Sequence, residues 1–241
     1  MSTVELDAVT FRYEDMAMTF TLRAPAGQAL AVVGPSGSGK STMLNLIAGF
    51  EAPLSGRITI DGADVTRLPP ARRPLTMVFQ DHNMFAHLDL ATNVGLGIDP
   101  GLRLGAAERA RVADALAEVG LAGLERRLPG QLSGGERQRA ALALALVRRR
   151  PVLLLDEPFA ALGPALRREM LDLVDRLRRT ANLTIIMVSH QPEDARRIAS
   201  RTAFVSDGLV LVEGPTAAML DAPPVPELAA YLGRGPVTPP A

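Results

Sequence analysis

A chain of 241 residues can bury the core of one large α/β domain or two small ones. Its formal net charge is zero, which excludes a long-range field that would gather nucleic acid or acidic lipid, and the lack of cysteine excludes disulfides and thiolate metal sites. The opening Met-Ser-Thr-Val-Glu-Leu-Asp brings acids early, so no signal peptide is expected, and the longest apolar run, Ala140 to Val147, is too short to span a bilayer. Any service to a membrane would then be given from the cytoplasm and through another chain.

In chain order, Val4 to Leu6, Phe11 to Tyr13 and Met18 to Leu22 are short β-prone runs. Leu30 to Val33 reads as a buried strand and Met43 to Ile47 as helix. Arg57 to Ile60 is a strand entering the turn Asp61-Gly62, and Thr76 to Phe79 is another buried strand, ending at Gln80. From about Leu88 to Leu132 the texture changes: Gly95, Gly97, Gly101 and Gly105 precede a helix with Val112, Leu116 and Val119 at helical spacing. Arg137 to Arg150 is a helix apolar almost all round, with Arg148, Arg149 and Arg150 suited to the negative end of its dipole. Val152 to Asp156 is an apolar strand, and Pro164 opens a helix carrying Leu166, Met170, Leu173, Val174 and Leu177 on one side. Thr184 to Ser189 is the next buried strand, followed by a helix from about Pro192 to Ser200. Uniformly apolar strands alternating with helices predict an α/β fold with a mostly parallel sheet covered on both faces. Residues 1–235 read as a single domain with a helical insertion at about 88–150, and 236–241 as a flexible tail.

The only lysine of the chain, Lys40, sits in Gly34-Pro35-Ser36-Gly37-Ser38-Gly39-Lys40-Ser41-Thr42; every other basic side chain is arginine. Glycines let backbone N–H groups curl around phosphates, and a following helix adds the positive end of its dipole. A compact ammonium reaches β/γ oxygens where a planar guanidinium fits badly, and Ser41 can place its hydroxyl on Mg2+. The strand before this loop and the helix after it are the setting a phosphate loop requires, so the chain reads as nucleotide-binding. Leu153-Leu154-Leu155-Asp156-Glu157-Pro158 puts two carboxylates at the carboxyl end of a buried strand. There Asp156 would hold Mg2+ opposite Ser41, and Glu157 would orient and deprotonate an attacking water. Ser133-Gly134-Gly135, opening a helix, forms a second nest of anion donors.

The phosphate loop, Gln80, Leu132-Ser133-Gly134-Gly135-Glu136, Leu155-Asp156-Glu157 and His190 stand in the order that resembles the ATP-binding cassette (ABC) ATPases, over about residues 3 to 220. The resemblance implies a P-loop NTPase core with an antiparallel β subdomain and a helical subdomain, hydrolysing ATP with Mg2+. It implies Tyr13 as the aromatic on adenine, Gln80 as the sensor of Mg2+ and the γ-phosphate, and His190 as a second γ-phosphate contact. It further implies a homodimer, the nucleotide lying between the phosphate loop of one chain and the Ser133 segment of the other. Arg72 to Gln80 is similar to the bacterial importers fed by periplasmic binding proteins, which implies a membrane permease as partner and a peripheral place on the cytoplasmic face of the inner membrane. Met84 and Phe85 fall in the stretch that would meet the permease. The implied cargo is a small molecule, thiamine first, with polyamine, iron, molybdate or sulfate as alternatives. An exporter ATPase and a soluble nucleotide-gated clamp are the other readings. His82 and His87 match no site position. Where the family usually reads Ser-Ala-Leu-Asp, this chain reads Ala160-Ala161-Leu162-Gly163. The missing aspartate would brace the opposite phosphate loop; were Gly163 held at positive φ, restoring it would be strained.

Overall fold

The computed structural model describes residues 2–78 and 84–234. Gln80, His82 and the expected tail lie outside those residues. Among the described residues the strands are β1 (Val4–Tyr13), β2 (Met16–Ala24), β3 (Ala29–Val33), β4 (Ser55–Ile60), β5 (Ala63–Asp64), β6 (Leu75–Val78), β7 (Val152–Asp156), β8 (Thr184–Val188), β9 (Arg201–Ser206) and β10 (Leu209–Pro215). The helices are α1 (Lys40–Ala48), α2 (Leu90–Gly95), α3 (Ala106–Glu118), α4 (Gly134–Val147), α5 (Pro164–Ala181), α6 (Pro192–Ile198), α7 (Thr216–Asp221) and α8 (Pro226–Tyr231).

All these strands join one sheet in the order β5-β4-β1-β2-β10-β9-β3-β8-β7-β6. The stretch β9-β3-β8-β7-β6 is parallel, while β1, β2, β4 and β5 pair antiparallel. Alternate residues of each central strand feed opposite faces. Ala31, Val33, Leu153, Leu155, Ile185 and Met187 pack under α2 to α6, whereas Leu30, Val32, Val152, Leu154, Ile186 and Val188 pack under α1 and the antiparallel arm. Burial on both faces explains why these strands carry no polar alternation. The expected parallel core, antiparallel arm and helical region are all present.

Several elements differ from the sequence reading. The runs at Val4 and Phe11 are one strand, β1, bent where its register shifts between Leu6 and Val9 and Ala8 takes φ 45°; this bulge breaks the alternation that would have joined them. Helix α4 starts at Gly134 because Ser133 caps it, and it stops at Val147. Arg148 is therefore its C-cap and Arg149 already has φ 51°, so the three arginines lie past the last turn rather than within it. The hairpin β9–β10 went unread, although its turn, Asp207 (φ 49°) and Gly208 (φ 78°), is the Asp-Gly pair that two-residue hairpins favour. Helices α7 and α8 were unread as well, being too short to show a period.

Arg73 holds the end of α1. It is 2% exposed, and among the described residues no ion pair joins it to a carboxylate. Its Nε donates to the Leu68 carbonyl at 2.9 Å, one Nη to the Leu46 and Ile47 carbonyls at 2.7 and 2.8 Å, and the other to Thr66 at 3.1 Å. The guanidinium thus sits on the negative end of the helix dipole and donates to last-turn carbonyls of α1, of which Leu46 also takes the Gly49 N–H at 3.3 Å. Gly49, at φ 84°, makes room: a Cβ there would come within 2.5 Å of the Arg73 Nε. Burial lowers the Arg73 pKa, so the fold carries a desolvated charge that these carbonyls offset. Arg73→Met removes the cation and strands the carbonyls, and should lower the free energy of unfolding by roughly 2–4 kcal/mol. Urea denaturation checks this; an unmoved midpoint at unchanged m-value would refute it.

Candidate functional site

Val32 of β3 lies opposite Val188 of β8, and Val188 lies opposite Asp156 of β7. The three strands end at one level. The residues that follow, Gly34, Ser189-His190 and Glu157, leave the sheet together at its carboxyl edge, where open α/β sheets bind ligands.

From β3 the chain enters the Gly34–Gly39 loop. Gly34 has φ 152°, and a Cβ there would come within 2.0 Å of the Val205 carbonyl oxygen, so only glycine passes under β9. Gly39, at φ 99°, precedes α1 and supplies no side-chain cap, which leaves the first N–H groups of that helix open. Pro35, Ser36 and Gly37 form an exposed tip. Lys40 is buried and turns back into the loop. Its Nζ donates to the Gly34 carbonyl at 2.9 Å, to the Pro35 carbonyl, and to the Ser38 hydroxyl at 3.3 Å. Burial draws its pKa down, while the Glu157 and Asp156 carboxylates support its charge. Open N–H groups around a buried ammonium suit a polyphosphate.

Ser41 and Thr42 follow on the first turn of α1. The Ser41 Oγ donates to the Asp156 Oδ1 at 3.1 Å. Hydroxyl and carboxylate together are hard oxygen donors of the kind Mg2+ takes. Burial pushes the Asp156 carboxyl above its ordinary range; the Ser41 hydrogen bond opposes this and the neighbouring Glu157 adds to it. Glu157 takes φ 46°, a conformation uncommon outside glycine. Its N–H still donates to the Val188 carbonyl at 3.1 Å, and its Oε2 lies 2.5 Å from the His190 Nε2. Next to that histidine, the buried Ser189 Oγ donates to Asp194 Oδ2 at 2.6 Å, and Arg167 Nε donates to Asp194 at 2.8 and 3.1 Å. This buried triad ties the end of β8 to the first turns of α5 and α6.

Ser133 stands apart. Its N–H donates to Glu136 Oε2 at 2.6 Å and its Oγ accepts from the Glu136 N–H at 3.3 Å, a capping box that spends the Ser133 N–H within the helix. Ser133 and Gly134 are exposed, while Gly135 is buried with room for only a tight contact to Leu166. Among the described residues no hydrogen bond joins Ser133, Gly134 or Gly135 to residues 34–42. Tyr13, 59% exposed, ends β1 beside the strand whose Met18 and Phe20 lie against Gly39. Gln80 lies outside the described residues. Gly163 has φ −64° and ψ 158°, ordinary extended backbone, and a Cβ there meets nothing within 4 Å. The positive φ that would have strained an aspartate at this position is therefore absent.

Three supports of the site escaped the sequence reading. Gly208 donates to the Ser38 carbonyl at 3.1 Å, so the unread hairpin buttresses the loop; its Asp-Gly turn was the available signal. Gln138, buried in α4, donates to the Pro158 carbonyl at 2.8 Å and ties the Ser133 helix to the carboxylate segment. Asn93, 1% exposed, accepts from the Phe85 N–H at 2.7 Å and donates to the Phe85, Leu88 and Asp89 carbonyls, which leaves the Phe85 ring 54% exposed. This exposure excludes a core role for Phe85. His87 is exposed with its ring edge-on to Phe85 at 6.0 Å. Neither Gln138 nor Asn93 announces itself in sequence, where a polar residue on a helix reads as solvent-facing.

A family model described as "ABC transporter" matches residues 17–160. The thiamine import ATP-binding protein ThiQ of Chelativorans sp. (strain BNC1) is 56% identical over 232 residues, covering 96% of this chain and 94% of that protein. The post-hydrolysis dimer of the ATP-binding cassette MJ0796, bound to ADP and Pi, superposes with TM-score 0.76 at 30% identity, over 88% of this chain and 98% of that one. The ADP conformation of MJ1267, another ATP-binding cassette, has TM-score 0.84 at 22% identity over 95% and 99% of the two chains, a likeness of fold alone.

The raised Asp156 carboxyl sets a pH-dependent stability. Its folded value stands above the unfolded one, so folding favours the protonated form. That contribution is full below the ordinary aspartate value of about 4 and is lost as pH rises through the raised value. Asp156→Asn, uncharged at every pH, should melt higher than the parent at neutral pH without nucleotide or Mg2+, and the gap should close toward about pH 4. Thermal melts across pH check it; a parent that melts at or above the variant at pH 7 would contradict the desolvation account.

Proposed function

This chain belongs to the ABC transporter family, and on that footing we propose that it is the ATP-hydrolysing subunit of a bacterial importer whose cargo is thiamine. The observation that carries the ATPase reading is the meeting of Lys40, Ser41, Asp156, Glu157 and His190 at one sheet edge. The cargo rests on relatives such as the Chelativorans ThiQ, with polyamine, iron, molybdate or sulfate as the alternatives.

The chain's own residues divide the work. N–H groups of residues 34–42 cradle the phosphates, and the Lys40 ammonium exchanges its carbonyl partners for β/γ oxygens. Ser41 and Asp156, with Gln80, would hold Mg2+, which neutralises charge on the phosphate oxygens. Glu157 accepts the proton of the attacking water, and the His190 imidazole, beside it, contacts the γ-phosphate. Tyr13 offers an exposed ring to the adenine. Among the described residues Ser133, Gly134 and Gly135 make no hydrogen bond to their own phosphate loop, which supports their serving the nucleotide of a second copy, with a homodimer as the working unit. Residues 1–235 act as one ATPase domain with a helical subdomain at about 88–150.

A groove of about 350 Å3 lined by Phe50, Leu75, Met77, Phe85, Leu96 and Leu144 opens between the sheet and the helical region. Its apolar lining suits a helix of the membrane permease, which in turn receives cargo from a periplasmic binding protein. Among the described residues no helix is long and apolar enough to cross a membrane; attachment to the cytoplasmic face of the inner membrane runs through the permease.

Glu157→Gln should keep ATP binding while turnover falls roughly 10²–10⁴-fold, and ATP should then hold two copies together on size exclusion. A variant that stays monomeric with ATP and hydrolyses at the parental rate would refute both the base and the sandwich. In cells lacking the native chain, uptake of labelled thiamine should return with the parent and not with Glu157→Gln; parental rescue of another cargo instead would replace thiamine. Phe85→Glu should abolish uptake with the isolated ATPase and the melting temperature unchanged, since the ring is exposed. Full uptake by this variant would move the permease elsewhere.

A further inference from the structure

The short helix α8 reaches the site from the far end of the chain. Leu228 and Ala229 are buried in the core under it, at 0% and 2% exposure, and Tyr231 closes its last turn. The Tyr231 ring packs tilted on Phe204 of β9, centroids 5.6 Å apart. Its hydroxyl donates to the His190 carbonyl at 2.7 Å. The Gly34 N–H faces the same phenolic oxygen and favours its ionised form, but burial outweighs it and raises the Tyr231 pKa. The phenol therefore keeps its proton, and remains a donor, throughout the neutral range.

We propose that Tyr231 is a positioning residue for His190: its hydroxyl fixes the peptide plane of the histidine whose Nε2 lies 2.5 Å from Glu157 Oε2. This rests on the reading that His190 acts on the bound nucleotide. The geometry gives the hydroxyl a purpose that packing does not supply. The ring alone fills the space against Phe204, and the oxygen is spent on a loop carbonyl between the buried Ser189 lock and the start of α6. His190 is then held from two sides. The Arg167–Asp194–Ser189 triad fixes the residue before it, and Tyr231 fixes its own carbonyl. Removing one side lets the imidazole wander from Glu157 while the fold stays intact. Misplacing a catalytic group by small amounts costs far more in rate than in stability.

The test uses the full-length chain with Tyr231→Phe, which keeps the ring and deletes only the hydroxyl, beside His190→Ala. For Tyr231→Phe we expect a melting temperature within about 2 °C of the parent, an unchanged KM for ATP, and kcat lowered about 5–20-fold. The chain has three histidines, so the His190 ring resonance can be assigned by difference with His190→Ala, and it should shift in Tyr231→Phe. A parental kcat in Tyr231→Phe, or an unmoved His190 resonance, overturns the inference. If His190→Ala is silent while Tyr231→Phe hydrolyses at the parental rate, the role of His190 stands and only the positioning fails. If His190→Ala itself hydrolyses at the parental rate, both fall.

Discussion

The parallel register of β3, β8 and β7 is the constraint on which the rest of this molecule depends. Val32, Val188 and Asp156 lie in one row, so the loop after each strand emerges at the same height. A slip of one residue in either pairing would turn buried side chains toward the wrong face and carry Asp156 away from Ser41 or His190 away from Glu157. Because both faces of these strands are packed, neither slip can be accommodated, and the carboxyl edge inherits its precision from the core.

Buried polar locks extend that precision to loops that hydrophobic packing cannot aim. Arg73 ties the end of α1 to the connection before β6. Gln138 ties α4 to Pro158, and Arg167 with Asp194 and Ser189 ties α5 and α6 to the end of β8. Each is a buried side chain that donates to a named partner in a dry setting, although among the described residues the Gln138 Oε1 itself finds none. Together they tie the Ser133 helix to the segment after Glu157, and α5 and α6 to the segment that carries His190.

The site holds its charges under tension. Lys40 is buried with its ammonium on loop carbonyls, Asp156 is desolvated beside Glu157, and Glu157 sits at positive φ. A polyphosphate and a divalent cation would each relieve one of these costs: the anion pairs the ammonium and the cation pairs the carboxylates. Ligand binding is thus coupled to stability by the same groups that would do the chemistry, and the strain is concentrated at the residue assigned as the base.

The sequence by itself determined the fold class, the central strands and the phosphate loop, because apolar runs, glycines and the lone lysine act over a few residues and leave local signatures. It also named Lys40, Ser41, Asp156, Glu157 and His190, each at the end of a strand or the start of a helix. It could not join β1 across its bulge, nor stop α4 before its arginines, since a cap and a bulge are decided by hydrogen bonds rather than by period. Nothing in the sequence marks Arg73, Gln138, Asn93 and Arg167 as buried polar residues, and only the fold shows it. Tyr231 is the extreme case: its partner, the His190 carbonyl, lies 41 positions away, in a contact that exists only once α8 has docked on the core. Local chemistry writes itself into local sequence; what meets across the fold depends on packing between distant segments, and no short stretch of the chain encodes it.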